Sequence, residues 1–127
     1  MLTEHHNSGS GTREVWLIDK DDDVLVSVAY FAPERMTEGT WNLYFIAVHP
    51  DRQKQGRGKG MLDHIVNELA LLGERVLLVE TSGTDDFDYV RAFYRNNGFT
   101  EEARIREFYA KGVDKIVYRM KLPRNCE

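Results

Sequence analysis

The stretch Leu43–Leu62, LYFIAVHPDRQKQGRGKGML, contains the signals that decide the fold. It begins inside the apolar run Trp41–Val48, which is typical of a central strand buried on both faces. Pro50 ends that strand, because proline cannot donate to the ladder of a sheet. A glycine-rich basic turn follows at Gln55–Gly60. Apolar residues then recur at helical spacing through Met61–Leu72, which predicts an amphipathic helix packed on the sheet.

The turn at Gln55–Gly60 has the properties of a site for a phosphorylated ligand. Its three glycines let backbone N–H groups approach a ligand with no side chain in the way. The start of the helix directs unpaired N–H groups and a partial positive charge outward. The formal net charge of the chain is −4, yet four cations lie between Asp51 and Gly60: Arg52, Lys54, Arg57 and Lys59. An acidic chain with a basic turn suits a small anion such as a pyrophosphate.

Two better-known phosphate-binding patterns do not fit this turn. The triphosphate pattern G-x-x-x-x-G-K-[ST] fails because Gln53 stands where its first glycine belongs. The dinucleotide pattern G-x-G-x-x-G fails because its last glycine would be Met61 when counted from Gly56 and Asp63 when counted from Gly58. A glycine-rich loop with a solvated basic face and no ligand remains the plain alternative.

Apolar and alternating runs on both sides of this segment predict the other elements. Further strands are expected at Glu14–Asp19, Val24–Phe31, Val76–Val79, Thr100–Ile105 and Lys115–Leu122, with a second helix from Thr84 or Asp85 to about Asn97. The strand–helix–strand order around the turn predicts one parallel crossover. The fold class is therefore α/β, with a mixed, mostly antiparallel sheet of about six strands and flanking helices.

Size and composition indicate a single domain. The chain has 127 residues, near the commonest domain size. Residues 1–12 are predicted to be a disordered tail or a remnant of expression, residues 13–123 the domain, and residues 124–127 a C-terminal tail.

The same totals exclude several classes of partner. The negative charge argues against non-specific nucleic-acid binding, and no apolar run approaches the ~20 residues of a membrane helix. Without a signal peptide, a cytoplasmic location is expected. A metal site is not predicted, because Cys126 is a lone terminal thiol and His5 and His6 belong to the polar tail.

Two motifs in this order resemble the GCN5-related N-acetyltransferase (GNAT) superfamily. The first is Val48-His49-Pro50 followed by Gln55, Gly58 and Gly60, and the second is the run Arg91–Phe99, RAFYRNNGF. The resemblance covers roughly residues 15–122 and implies an acyl-CoA N-acyltransferase-like fold with acetyl-CoA as cosubstrate. It also implies a gap beside the central strand, where backbone groups bind the pantetheine arm, and a pyrophosphate site in the turn. The corresponding residues are Ile46, Ala47 and Val48 for the arm, and Lys54, Gln55, Gly56, Arg57, Gly58, Lys59 and Gly60 for the pyrophosphate.

The resemblance further assigns roles in catalysis. Tyr94 matches the general acid that protonates the departing thiolate, although it can also be read as a core aromatic residue of the helix. Glu80 is a candidate base at the end of a strand, although it can also be a solvated strand end. His49 flanks the site and is interpreted as a loop residue. The expected reaction is direct transfer of acetyl to an amine, with no acyl-enzyme.

The acceptor is expected to be a small molecule or a peptide that carries an N-terminal α-amine or a small amine, and a homodimer is possible. Phe108 and Tyr109, placed in a loop before the last strand, either line the acceptor slot or pack on the sheet. Tyr44 stands where some relatives carry a glutamate, and Phe87 stands where many carry an asparagine that binds the arm. The family's opening strand and two helices are expected to be missing. For that reason a non-catalytic acyl-CoA sensor or regulatory module is the alternative function.

Overall fold

The computed structural model of the chain describes residues 1–7 and 13–124. These residues form seven strands and two α-helices, with single 3₁₀ turns at Pro50–Arg52 and Asp85–Phe87. In chain order the elements are β1 Leu2–Asn7, β2 Glu14–Asp21, β3 Val24–Pro33, β4 Thr40–Val48, α1 Arg57–Leu71, β5 Val76–Ser82, α2 Asp88–Asn96, β6 Thr100–Ala110 and β7 Val113–Lys121.

The strands form one sheet in the order β1-β2-β3-β4-β5-β7-β6. Neighbouring strands are antiparallel except β4 and β5, which are parallel and are connected by α1. This arrangement confirms the predicted mixed sheet and its single crossover. Because β4 is the central strand, the turn that follows it lies at the middle of the sheet, at the end where β4 stops.

Both helices pack on one face of the sheet. The apolar stripe of α1 is buried at Met61, Leu62, Ile65 and Leu69, and it joins a single core cluster with Tyr94 of α2. Each such side chain contributes roughly 1.5–3 kcal/mol when removed from water. The core therefore fixes α1 and α2 against the strands that flank the turn.

The prediction of disorder for residues 1–12 is wrong for Leu2–Asn7. These six residues form β1, which pairs antiparallel with β2. A mostly polar edge strand is held by backbone hydrogen bonds and by few apolar contacts, so its composition does not reveal it. Residues 8–12 lie outside the described residues, and so does Cys126. In the described part of the chain, no helix lies between β1 and β2.

The prediction that β4 is buried on both faces holds for only half of the strand. Trp41, Asn42 and Leu43 are buried, whereas Tyr44 and Phe45 are exposed. Exposure begins where pairing with β5 ends, because one side of β4 then has no neighbour.

Candidate functional site

A gap opens between β4 and β5 at the centre of the sheet. The two strands pair from Thr40 with Val76 to Leu43 with Val79 and no further. Residues 45–48 of β4 keep their pairing with β3 on the other side, with an irregularity at Tyr44, but residues 44–48 have no β5 partner. On the side that faces the gap, the backbone groups of Ile46, Ala47 and Val48 can therefore bond an extended ligand that enters as an additional strand.

The turn that follows β4 presents unpaired backbone N–H groups at the end of this gap. Gly56 is the N-cap of α1 with a φ of 77°, and no side chain caps the helix. The helix begins at Arg57, four residues earlier than predicted, so its first N–H groups belong to the turn. A Cβ added at Gly56 or Gly60 would meet no atom within 4 Å, so the space beside the turn is open. The turn has the donors, dipole and space that an anion needs.

The cations of the turn are less free than the sequence suggests. Arg57 binds Asp21 at 2.7 Å and Asp19 at 3.2 Å, and Lys59 binds Asp63 at 2.9 Å. The hydrogen bond from Arg57 lowers the pKa of Asp21 below its ordinary value.

Lys54 differs from the other cations of the turn. Its φ is 64°, and it has no ion pair within the described residues. An anion in the turn would therefore meet backbone N–H groups and Lys54, with the charge of Arg57 already neutralised.

Tyr94 lies on α2 close to the turn, with its hydroxyl unpartnered. The residue is buried against the rings of Phe93, Phe99 and Tyr118. Its hydroxyl forms no hydrogen bond within the described residues, whereas that of Tyr118 accepts one from Arg95. Burial raises the pKa of Tyr94 to about 12, so the phenol keeps its proton at neutral pH.

Gly58, in the first turn of α1, lies within contact distance of α2. A Cβ added at Gly58 would stand 3.7 Å from the Phe93 ring and 3.9 Å from Val48. These contacts place the helix that carries Tyr94 beside both the turn and the open end of β4.

Glu80 is the first residue of β5 beyond the paired segment, so it lies at the mouth of the gap. It accepts hydrogen bonds from Asn42 at 3.0 Å and from Lys115 at 3.2 Å. The same amide nitrogen of Asn42 also donates to Glu34 at 2.9 Å. One buried amide therefore holds two carboxylates, and its own oxygen, Oδ1, is buried without a partner.

Sequence reasoning missed Glu34, Asn42 and Lys115. Asn42 carried a signal, since it is a polar residue in an otherwise apolar strand, and such a residue must find partners when it is buried. Nothing local to Glu34 or Lys115 distinguishes them from surface charges.

Phe108 and Tyr109 lie near Glu80, but in strand β6 rather than in the predicted loop. The correction has a local cause: β6 continues past an irregularity between Ile105 and Ala110, so the turn to β7 is shorter than predicted. The ammonium of Lys115 stands 3.8 Å over the Phe108 ring.

Tyr44 reaches the same region from β4. Burial raises the pKa of Tyr44 and of Tyr109, and the charge of Glu80 raises both further. The structure thus brings Tyr44, Glu80, Phe108 and Tyr109 to one end of the gap.

The sheet face opposite the helices carries exposed aromatic residues on β2, β3 and β4. Trp16 contacts the rings of Tyr30 and Phe45, and Tyr30 also contacts Tyr44. Trp16 is 41% exposed and Phe45 39%. We call this set the aromatic face, and no described helix covers it.

His49 and Phe87 flank the site. His49 accepts a hydrogen bond from the Asp51 N–H at 3.1 Å and so caps the 3₁₀ turn after β4, as expected of a loop residue. Phe87 is exposed at the start of α2 and offers no group that could replace an amide contact to a ligand.

A central strand that parts from its neighbour beside a glycine turn and an uncapped helix defines the acyl-CoA N-acyltransferase class of fold. The sequence matches the description "Acetyltransferase (GNAT) domain" over residues 11–101. The chain belongs to the GNAT acetyltransferase family. Acetyl-CoA is the cosubstrate of that family.

Individual relatives agree with this assignment. The chain is 33% identical over 82 residues to the ribosomal-protein bS18-alanine N-acetyltransferase of Escherichia coli K12, which covers 65% of this chain and 54% of that protein. It therefore spans about half the length of the curated relatives it matches. A GNAT-family protein from Desulfovibrio desulfuricans superposes with a TM-score of 0.84 at 39% identity, over 87% of this chain and 70% of that one.

A more distant structure shows the same fold with the cosubstrate's product form bound. An aminoglycoside 6′-N-acetyltransferase complexed with coenzyme A superposes with a TM-score of 0.76 at 15% identity, over 90% of this chain and 76% of that one. Within the described residues, neither helix has the length and apolarity needed to cross a membrane.

Proposed function

We propose that this chain is an N-acetyltransferase that transfers the acetyl group of acetyl-CoA to an α-amine or a small amine. The observation that carries the proposal is the gap between β4 and β5, which ends at the turn before α1 and is flanked by Tyr94 and Glu80. Family membership supports the reaction class.

The backbone performs the binding in this proposal. The free edge of Ile46–Val48 bonds the pantetheine arm as a strand would, and a backbone N–H there donates to the thioester oxygen as negative charge develops. The first N–H groups of α1 and the ammonium of Lys54 bind the pyrophosphate. Gly56 and Gly60 keep side chains out of that space.

Two side chains move protons. Glu80 accepts a proton from the acceptor amine as its nitrogen attacks the thioester carbonyl carbon. When the C–S bond breaks, the hydroxyl of Tyr94 gives its proton to the departing thiolate. Tyr94 can do this because its pKa of about 12 exceeds the ~8.5 of a thiol. No serine is hydrogen-bonded to a histidine in the described part of the chain, which favours direct attack over an acyl-enzyme.

The acceptor follows from the strength of the base. An α-amine titrates near 7.7–8.0, whereas a lysine titrates near 10.4 and costs roughly 4 kcal/mol to deprotonate at about pH 7.5. Glu80, the candidate base, already accepts hydrogen bonds from Asn42 and Lys115, so little of its carboxylate is left to take a proton from a lysine ammonium. The name of the Escherichia coli relative, an alanine N-acetyltransferase of a ribosomal protein, also supports an α-amine.

The proposal is tested by the release of free thiol from acetyl-CoA in the presence of peptides with a free N-terminus. We expect turnover with the wild-type chain and a loss of roughly a hundredfold in Tyr94→Phe. Absence of coenzyme A binding in titration calorimetry would overturn both the reaction and the site.

A non-catalytic acyl-CoA sensor is the second candidate, since the aromatic face leaves the acceptor side less enclosed than in the family's pattern and Phe87 cannot make the amide contact to the pantetheine arm. It is distinguished by coenzyme A binding of ordinary strength together with no thiol release for any amine tested. The expected cytoplasmic location and a possible homodimer remain proposals as well.

A further inference from the structure

A cluster of metal-ligating side chains lies away from the acetyl-CoA site, where β1 meets α1. Glu4, His64 and Glu68 each offer one ligand atom, and these atoms all lie within 4.8 Å of one another. His64 Nε2 is 2.7 Å from Glu4 Oε2. The three residues are half-buried. Glu4 on β1 lies 60 positions before His64 on α1. The sequence alone therefore did not indicate the cluster.

His6 contacts Glu4 but does not belong to the cluster. Its Nε2 is 3.1 Å from the other oxygen of Glu4. Glu4 and His6 are two apart on a strand and so share one face, while His5 points to the opposite face. On the helix, His64 and Glu68 are four apart and so share one face as well.

The charges of the cluster are not balanced by protein cations. Glu4 pairs only with His6 and His64 among the described residues. Glu68 forms no ion pair within those residues. No lysine or arginine of the described chain is bonded to either carboxylate.

We propose that Glu4, His64 and Glu68 bind a divalent transition-metal ion of the Zn²⁺ type, with water able to fill the fourth position. Imidazole and carboxylate ligands together suit Zn²⁺ and its neighbours better than Mg²⁺ or Ca²⁺, which prefer oxygen ligands alone. Zn–N and Zn–O bonds of about 2.0–2.2 Å place tetrahedral ligands roughly 3.4 Å apart. The present atoms need to close by roughly 1 Å, which small side-chain rotations supply.

Binding there would join the edge strand to the first helix. The metal ion would also raise stability in proportion to its occupancy, because the unfolded chain lacks the site. This site is independent of the acetyl-CoA site, and its failure would leave the proposed function untouched.

The test is titration calorimetry of Zn²⁺ into the full chain, purified without a histidine tag and treated with EDTA. Co²⁺ serves as a second probe, because four-coordinate Co²⁺ absorbs visibly. We expect one Zn²⁺ per chain, a visible Co²⁺ spectrum, and a melting temperature that rises with Zn²⁺. His64→Ala and Glu4→Gln should weaken Zn²⁺ binding roughly tenfold or more, while His5→Ala should not change it.

Glu68→Gln separates this site from a simple ion pair between strand and helix. Glu68 has no ion pair in the described structure, so the change should leave the melting temperature of the metal-free chain unchanged. It should nevertheless weaken Zn²⁺ binding and remove the stabilisation by Zn²⁺. Undiminished Zn²⁺ binding in both Glu68→Gln and His64→Ala, or no binding by the wild type, overturns the proposal.

Discussion

The guanidinium of Arg57 lies 2.7 Å from the carboxylate of Asp21, which ties the first residue of α1 to the last residue of β2. A second bond, to Asp19 at 3.2 Å, reinforces the tie. Arg57, which the sequence assigned to the pyrophosphate site, thus also links the start of α1 to β2.

Lys54→Ala should weaken coenzyme A binding more than Arg57→Ala. The charge of Arg57 is already neutralised by two carboxylates, whereas Lys54 has no ion pair in the described chain. Titration calorimetry at two salt concentrations measures both effects, and Lys54→Ala should also flatten the salt dependence. Lys59→Ala, whose partner is Asp63, is the matched control. A larger loss in Arg57→Ala would show that the guanidinium leaves Asp21 to bind the ligand.

The Arg57–Asp21 pair should stabilise the chain only above about pH 4. The pKa of Asp21 in the folded chain lies below its ordinary value of 3.8, chiefly because of the hydrogen bond from Arg57. Stability from a lowered pKa is present above the unfolded value and is lost as the pH falls through the folded value. Thermal melts of wild type and Arg57→Ala should therefore differ at pH 7, and the difference should shrink as the pH falls from about 4 through the lowered pKa of Asp21. A constant difference down to pH 2 would contradict this.

Tyr94→Phe should lower turnover roughly a hundredfold while leaving coenzyme A affinity unchanged. The pKa of about 12 also predicts no fall in the wild-type rate from ionisation of this phenol up to pH 10. Steady-state rates across that range and a binding titration provide the measurements. Tyr118→Phe removes a hydroxyl from the same core and should leave turnover nearly unchanged. Equal losses in the two variants would make Tyr94 a packing residue.

Glu80→Gln should reduce turnover strongly, and Glu34→Gln only weakly. Both carboxylates accept from Asn42, but Glu80 lies at the mouth of the gap, whereas Glu34 lies just after β3. If Glu80 is the base, its loss should lower kcat with little change in KM for acetyl-CoA. Similar kinetics in the two variants would instead assign the pair a shared role in holding Asn42.

A peptide with a free N-terminus should react faster than a peptide of otherwise identical sequence whose N-terminus is blocked and which carries one lysine. The reason is the lower pKa of an α-amine, which leaves more of it neutral. Thiol release at one pH compares the two, with a few small amines alongside. Preference for the lysine would require a stronger base than Glu80.

The sequence predicted the centre of the molecule well, because there the local patterns and the tertiary contacts agree. The apolar run before Pro50, the glycine turn and the stripe of Met61, Ile65 and Leu69 all specify the same crossover, which the structure confirms. The two family motifs lie on these elements, and the family itself is confirmed.

The parts that sequence reasoning missed depend on partners distant in the chain. Strand β1 is defined by pairing with β2 and not by its composition. The contacts of Glu34 and Lys115 reach across the sheet to a single region near Glu80. The roles of Tyr94 and Glu80 in catalysis stay predictions that the variants above address.

The aromatic face bears on the size of acceptor that the proposed enzyme can accept. Trp16 and Phe45 are exposed on the sheet face opposite the helices, with Tyr30 partly buried between them, and no described helix covers them. Tyr30 also contacts Tyr44, which lies at the end of the gap. A slot enclosed on all sides admits only what fits inside it, whereas a slot with one side open can receive the end of something much larger. On the proposed function, a folded protein could present its terminus to Glu80 while its body stays outside. Selection would then act on the last few atoms of the acceptor and not on its bulk.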